Sequence, residues 1–525
     1  MNAPSGKFVT LTRASVGSLI AGLILSWAFV QFGQHRLSHT DLWGHLAYGR
    51  YIAQEGKFPD REPFLQTSTD QELVVTAWLS QWGGYHLYRS SGAVGLQLAY
   101  AVIVSGSLIC FCYLILQKSR SWTLALIGTA WFLVLEQQQV TTIRPQLMGL
   151  LGFLLFLAIG NPRQKLTRLR YGALFVLMVV WTNAHGSFAI APVILIISLS
   201  GRLLDVLRRH YRRGTPLSRT IQYLRGDQRL HRHCYLLGVV LIATLVTPFG
   251  TQLWREVLTF GKSPNLYDLI EWMPLWKTPK QGTAFLLSGF AVLAVFLVKR
   301  YRLRMETWLP VFALTVQLIR VSRYFVWWSP LFVKAMIPDW RLAERWKRYS
   351  RIYAVVEHGM NLAIPGGRFV LLAVAMVALS WTPWSAALFH GQSWSPRNSF
   401  SMTTPIEATV PLLELAPETL MFNTMEWGDW LIWESEATLP VFVNSHVTLI
   451  DEEVWRDYMS FIRQSTGWKE HWDSYTFSVA IVQYRRHKEL ARSLQDDPEW
   501  EEVYEDSNAK IFVNKSRDNL GRPTQ

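Results

Sequence analysis

Charge is scarce in this chain. Only 17% of its 525 residues are Asp, Glu, Lys or Arg, while 50% are hydrophobic. That balance excludes an ordinary large soluble enzyme and points to a polytopic membrane protein. Cysteine is scarcer still: Cys110, Cys112 and Cys234 all lie in apolar stretches, where a small buried hydrophobe is the ordinary role. The C-terminal part has none, which excludes a disulfide framework or a Cys-based zinc site there. G-x-G-x-x-G, P-loop and H-E-x-x-H motifs are also missing, so no nucleotide-phosphate or zincin signature competes. The first apolar stretch, 15–33, lacks a small-residue cleavage site and is nearly span-length, so it is expected to remain as a span.

What charge there is has a pattern. Residues 391–525 carry 12 Lys and Arg against 22 Asp and Glu, leaving 40 against 16 for residues 1–390. The basic excess lies in loops between apolar stretches and does not read as nucleic-acid binding. About eleven stretches qualify as spans: 15–33, 92–116, 122–138, 146–160, 169–183, 186–200, 234–250, 283–298, 306–320, 324–337 and 368–389. With Lys7 and Arg13 placing the N-terminus in the cytoplasm, every second connection should be basic. Lys118 and Arg120, Arg163 to Arg170, the nine Arg of 201–233, Lys299 to Arg304, and Arg341 to Arg351 all obey. This requires a break at Trp181–Ser187, which separates the spans 169–183 and 186–200. The odd count puts the acidic C-terminal part outside the cytoplasm. The expected architecture is an α-helical polytopic membrane domain, 1–390, followed by a small extracytoplasmic α/β domain, 391–525, with a disordered tail from 515. The 25 Trp and 19 Tyr suit interface anchoring.

That topology gathers polar groups at the outer boundary: Asp41 and His45, Arg144, Asn183 and His185, Glu271, and Arg320 with Arg323. Ionisable groups at membrane depth usually line a cavity or pair with one another. Each also has a plainer role, Asp41 as a helix N-cap, Arg320 and Arg323 as snorkelling interface residues. Arginine holds phosphate bidentately and stays charged when buried. A carboxylate beside it can act as general base on a hydroxyl. Together these suit glycosyl transfer from a polyprenyl-phosphate donor. A glycan transporter would need polar groups at mid-span, and these segments are nearly uncharged. His45 and His185 as haem ligands form a third reading.

The residues Thr40-Asp41-Leu42-Trp43-Gly44-His45, then Glu55-Gly56 and Pro59-Asp60-Arg61-Glu62-Pro63-Phe64, resemble the first outer loop of GT-C type membrane glycosyltransferases. They are particularly similar to a group of uncharacterised bacterial multi-pass proteins with an Asp-x-Trp-x-His loop. More loosely, they resemble the first loop of oligosaccharyltransferase catalytic subunits. Arg144-Pro145-Gln146, Asn183-Ala184-His185-Gly186, Thr247-Pro248-Phe249-Gly250, Glu271-Trp272, Arg323 and Glu426-Trp427-Gly428-Asp429-Trp430 fit the same group in order. The resemblance implies an inverting glycosyltransferase in the inner membrane. Its partners would be a polyprenyl-phosphate-linked sugar and a glycan, lipid or protein acceptor. Asp41 and Glu271 are then the catalytic candidates, with Asp41 as base or as ligand of a divalent cation (Mg or Mn). Arg144 and Arg323 would hold the donor phosphate, and His45, Asn183 and His185 would shape the pocket. Many relatives carry a second Trp where this chain has Gly44, and an acid where it has Ala77.

In the C-terminal part, Pro440–Val443 and Phe477–Val482 read as strands and 452–464 and 487–495 as helices. Trp500–Val503 and Lys510–Val513 form a closing hairpin. Asn444, His446 and Asp451 could form a site at a strand end, where open α/β sheets bind ligands, and ordinary loop polar residues are the plainer reading.

Overall fold

The computed structural model describes residues 12–38, 40–68, 70, 72–165, 167–298, 303–385 and 399–517. Lys7, Lys299, Arg300 and Arg302, the end of the last expected span (386–389), the 390/391 boundary and the tail from 518 lie outside the described residues. The start of that expected tail, Lys515–Arg517, is a short 3-10 turn rather than irregular chain.

Helices occupy each of the eleven expected stretches within the described residues, although 234–250 is helical only to Ala243 and continues as turns. They are α1 (Val16–Gly33), α3 (Trp78–Ser119), α4 (Trp122–Val140), α5 (Gln146–Ile159), α6 (Arg168–Ala184), α7 (Ile190–Arg212), α8 (Gln228–Ala243), α9 (Pro279–Val298), α10 (Met305–Arg320), α11 (Phe325–Met336) and α12 (Gly367–Ser380), with α2 (Thr40–Glu55) between the first two. Val16–Gly33, Trp78–Ser119 and Gly186–Arg212 are long and apolar enough to cross a membrane by length and composition. Helices suit this solvent because they satisfy their own backbone polar groups. Gly92 interrupts α3 at φ 59°, ψ −157°, a conformation open essentially to glycine alone, so its apolar part starts where the sequence expects span two.

The break near Trp181–Ser187 is present. His185 is extended and a 3-10 turn, Gly186–Ala189, leads into α7. The chain reverses there: Arg170, early in α6, donates to the Ala158 carbonyl, and Ser198 of α7 returns to the same region beside Gly160. Among the few ionisable groups within these stretches, Glu136 of α4 is fully buried and accepts a hydrogen bond from Ser329 of α11.

A four-stranded sheet forms near the C-terminus in the order β3 (Met421–Asn423), β4 (Val479–Val482), β6 (Lys510–Asn514), β5 (Trp500–Glu505); Ala14–Ser15 and Ala363–Ile364 are the two-residue strands β1 and β2. β3 and β4 are parallel, and the other pairs are antiparallel. Pro440–Val443 is not the expected strand. Val441 makes one bridge to Met421, and the Asn423 side chain takes the neighbouring backbone, accepting from Phe442 N at 2.9 Å and donating to Val443 O at 2.8 Å. A side chain thus replaces the ladder. β3 was hidden because three residues are too few for an alternating pattern.

The helix α2 is held on both sides. Its Trp43 is 2% exposed and packs against Trp430 (4.8 Å) and Phe400 (5.2 Å), burial worth about 2 kcal/mol. Arg50 donates to the Trp433 carbonyl at 2.9 Å with its guanidinium over that ring, closing the C-terminus of α13 (Met425–Glu434). Two glycines allow the approach. A Cβ on Gly44 would stand 2.2 Å from Asp429 Oδ1, and one on Gly49 would stand 2.1 Å from the Gln81 carbonyl oxygen. Asp429 therefore occupies the space that a larger residue at position 44 would need. Gly49→Ala should cost about 1–3 kcal/mol by overpacking against backbone, whereas Gly84→Ala, whose added Cβ meets only Leu46 at 3.4 Å, should be nearly silent. Thermal melts of the detergent-solubilised variants check this, and equal melting temperatures would refute the close packing.

Candidate active site

With one face of α2 packed against α13, the other presents Asp41, His45 and Tyr48, spaced to share one side of a helix. Asp41 stands inside the first turn, because the helix starts at Thr40 and leaves Asp41 past the N-cap position that the sequence suggested. Opposite it, Arg144 ends the turn between α4 and α5, and its Nε lies 3.8 Å from Asp41 Oδ2. The same guanidinium donates from Nη1 to Glu271 Oε2 at 2.7 Å. The second oxygen of Glu271 accepts from Arg323 Nη1 at 2.6 Å. Four segments distant in sequence thus meet as a chain of charges: Asp41, Arg144, Glu271, Arg323. Local contacts hold the last pair. Ser322 donates from its backbone to Met273 O at 3.0 Å and from Oγ to Glu271 O at 3.0 Å, and Arg323 sits over the Trp272 ring.

Burial alone would raise the proton affinity of Glu271, but Arg323 and then Arg144 outweigh it and hold this carboxyl below its ordinary range. It stays ionised. Its two oxygens are each engaged by a guanidinium, and among the described residues no three His, Cys, Asp or Glu side chains gather as a metal site. Divalent cations favour several hard oxygens, a donor set that these side chains do not form.

His45 lies one turn beyond Asp41, and its Nδ1 is hydrogen-bonded to Gln81 Nε2 at 3.0 Å. His185 stands in the connection between α6 and α7. Its Nδ1 accepts from Ser187 N at 3.1 Å and is 2.8 Å from Ser187 Oγ. Burial, then Arg323, then His45, push its pKa down to about 3, so this ring is neutral and close to the charge cluster. Asn183 is different. Its carbonyl accepts from Trp78 Nε1 at 2.7 Å, and its amide donates to Val179 O (2.8 Å) and Val246 O (2.9 Å). These bonds tie α6 to α3 and to the turn after α8. The expected pocket residue is a brace, because its donors and its acceptor already serve other segments. Arg320 is exposed, in keeping with a snorkelling residue.

The structure adds a contact that the sequence did not foresee. Tyr48 donates to Glu62 Oε2, and its ring stacks on His446 at 4.8 Å. The His446 ring also stands edge-on to His45 at 6.2 Å, so this group adjoins the Asp41 face. Asn444 and Asp451 behave as expected of loop residues, accepting from the backbone N–H of His446 and Glu453. His446 does not: it reaches across to α2. The available signal was the spacing of Tyr48 with His45 and Asp41 on one helix face.

Burial raises the pKa of Glu62, with His446 and the Tyr48 hydrogen bond opposing. A carboxyl that binds its proton more tightly when folded contributes stability below its ordinary pKa of 4.5, and that contribution is lost as pH rises through the elevated value. Glu62→Gln should flatten the decline in melting temperature over this rise in pH. Thermal melts across a pH series check it, and an unchanged slope would remove Glu62 as the source.

No protein-family profile matches the chain, and comparison with curated proteins finds no match. Solved structures do match. The oligosaccharyltransferase of Archaeoglobus fulgidus tethered with an acceptor peptide aligns at TM-score 0.51 and 12% identity, over 89% of this chain and 69% of that one. The archaeal oligosaccharyltransferase AglB from the same organism, in complex with an inhibitory peptide and a dolichol-phosphate, aligns at TM-score 0.50 and 12% identity, over 88% and 69%. ArnT from Cupriavidus metallidurans bound to undecaprenyl phosphate gives 0.48 at 14% identity, over 99% and 100%. At these identities the likeness shows the fold: over most of its length this chain shares the fold of the archaeal oligosaccharyltransferase AglB.

Proposed function

We propose that this protein is a membrane glycosyltransferase that moves a sugar from a polyprenyl-phosphate-linked donor to an acceptor on the extracytoplasmic side. One observation carries the reading: Asp41, Arg144, Glu271 and Arg323 converge from four segments into one charged site. The dolichol-phosphate and acceptor peptide named with the fold neighbours agree with it. Sidedness follows from charge. All five basic connections lie at the other end of the helices, which the positive-inside rule assigns to the cytoplasm. The site and the C-terminal sheet then face outward.

In this reading Asp41 takes the proton of an acceptor hydroxyl. The hydroxyl oxygen attacks the anomeric carbon from the face opposite the phosphate, the bond from that carbon to the phosphate oxygen breaks, and its electron pair leaves with the lipid phosphate. The configuration inverts. Arg144 and Arg323 hold the phosphate charge by charge-assisted hydrogen bonds. Glu271, kept ionised between two guanidiniums, is a poor proton acceptor and is assigned a positioning role. Neutral His185 lines the adjoining wall beside His45, and Glu62, Tyr48 and His446 extend it toward the acceptor.

Asp41→Asn should lower kcat by about 10²-fold or more, the worth of a general base, with the KM for donor nearly unchanged. Arg323→Gln should instead raise the donor KM about tenfold, the worth of one charge-assisted hydrogen bond. A reconstituted assay with polyprenyl-phosphate sugars measures both. Wild-type transfer by Asp41→Asn protein would sink the assignment.

A further inference from the structure

At the end of the helices away from Asp41, a cavity of about 540 Å³ opens between the ends of α3, α5, α7, α10 and α11. It is separate from the charge cluster. Arg144 stands just before α5 and Gly160 just after it, and the helix between them is about 20 Å long at 1.5 Å per residue. Seven Lys and Arg side chains line the cavity against two carboxylates, Glu306 and Asp339. The cations come from each of the five basic connections. We propose that this cavity is a phosphate-binding site, taking the phosphate of an anionic lipid headgroup or a free phosphate.

The pairing of charges supports a missing anion. Glu306 serves Arg163 at 3.3 Å and Arg229 at 3.7 Å, and Asp339 serves Arg304 at 3.5 Å. Both carboxylates are thereby used. Lys118, Arg120, Lys334 and Arg341 have no carboxylate within 4.0 Å among the described residues. Gathering unpaired like charges at a bilayer surface costs energy that an anion would recover. Two of these groups are already gathered. Arg120 and Arg341 both lie over the Trp340 ring, at 5.2 and 5.4 Å. Arg120 caps the C-terminus of α3 in the left-handed conformation, φ 54°, with its N–H on the Leu116 carbonyl. The opposite wall is apolar, with Leu114, Phe156, Leu157 and Leu331. A phosphate beside such a wall is the chemistry of a lipid headgroup with its glycerol and first acyl carbons, and basic pockets between helix ends favour such lipids.

The test uses the full chain in detergent, titrated separately with phosphatidylglycerol, phosphatidylcholine and inorganic phosphate. Melting temperature and native mass spectrometry are read together. Phosphatidylglycerol should stabilise the wild type, and the double variant Lys334→Gln, Arg341→Gln should need at least tenfold more lipid for the same shift. Response to phosphatidylglycerol without response to inorganic phosphate assigns the headgroup, and response to both assigns free phosphate. Glu306→Gln, which frees Arg163 and Arg229, should bind more tightly and gives a second readout if the double variant folds poorly. Equal responses to phosphatidylglycerol and phosphatidylcholine, or a wild-type response from the double variant together with no gain in Glu306→Gln, would overturn the proposal.

Discussion

The candidate site depends on one carboxylate. Glu271 lies between Arg144 and Arg323, with both oxygens engaged, and the Arg144 guanidinium in turn reaches Asp41. Two guanidiniums this close repel each other, and an anion between them makes the arrangement affordable. The carboxylate is held from behind by Ser322, which binds the loop carrying Glu271 to the segment carrying Arg323. The same interaction that assembles the site also keeps Glu271 ionised. That is why, of the two carboxylates first read as catalytic, the proposed function gives the proton-accepting role to Asp41.

The second constraint is the packing of α2. Its faces are divided between structure and chemistry. Trp43, Gly44 and Arg50 seat it on the C-terminal part, Asp41 and His45 reach Arg144 and Gln81 of other segments, and Tyr48 meets both Glu62 and His446. Because Gly44 and Gly49 let Asp429 and the Gln81 carbonyl approach so closely, the helix has little freedom to rotate. A site whose base sits on such an element is held in geometry by close packing rather than by a loop.

Charge divides the helices into two ends. One gathers an acidic and basic cluster that is almost neutral in sum. The other collects cations from five connections around a cavity with only two carboxylates. Apolar helices between them carry the membrane-compatible surface, with Glu136 buried and hydrogen-bonded as an exception. The same charge count that suggested a topology from the sequence thus reappears as two separate chemical environments.

Much of this could be read from the residues alone. Helix positions follow from hydropathy, because burying or solvating a span is decided by its composition over about 20 residues. The break at His185, the hairpin Trp500–Asn514 and the grouping of Asp41, Arg144, Glu271 and Arg323 at one end followed from local pattern and charge. Other features belong to tertiary structure only. That Asn183 is a brace, that His446 stacks on Tyr48, that Asn423 takes the place of a strand partner and that Asp429 fills the space beside Gly44 all depend on contacts between residues far apart in the chain. A sequence records which groups are costly to bury, and those costs fix where they can lie. Which partner meets each cost is decided only when distant segments pack.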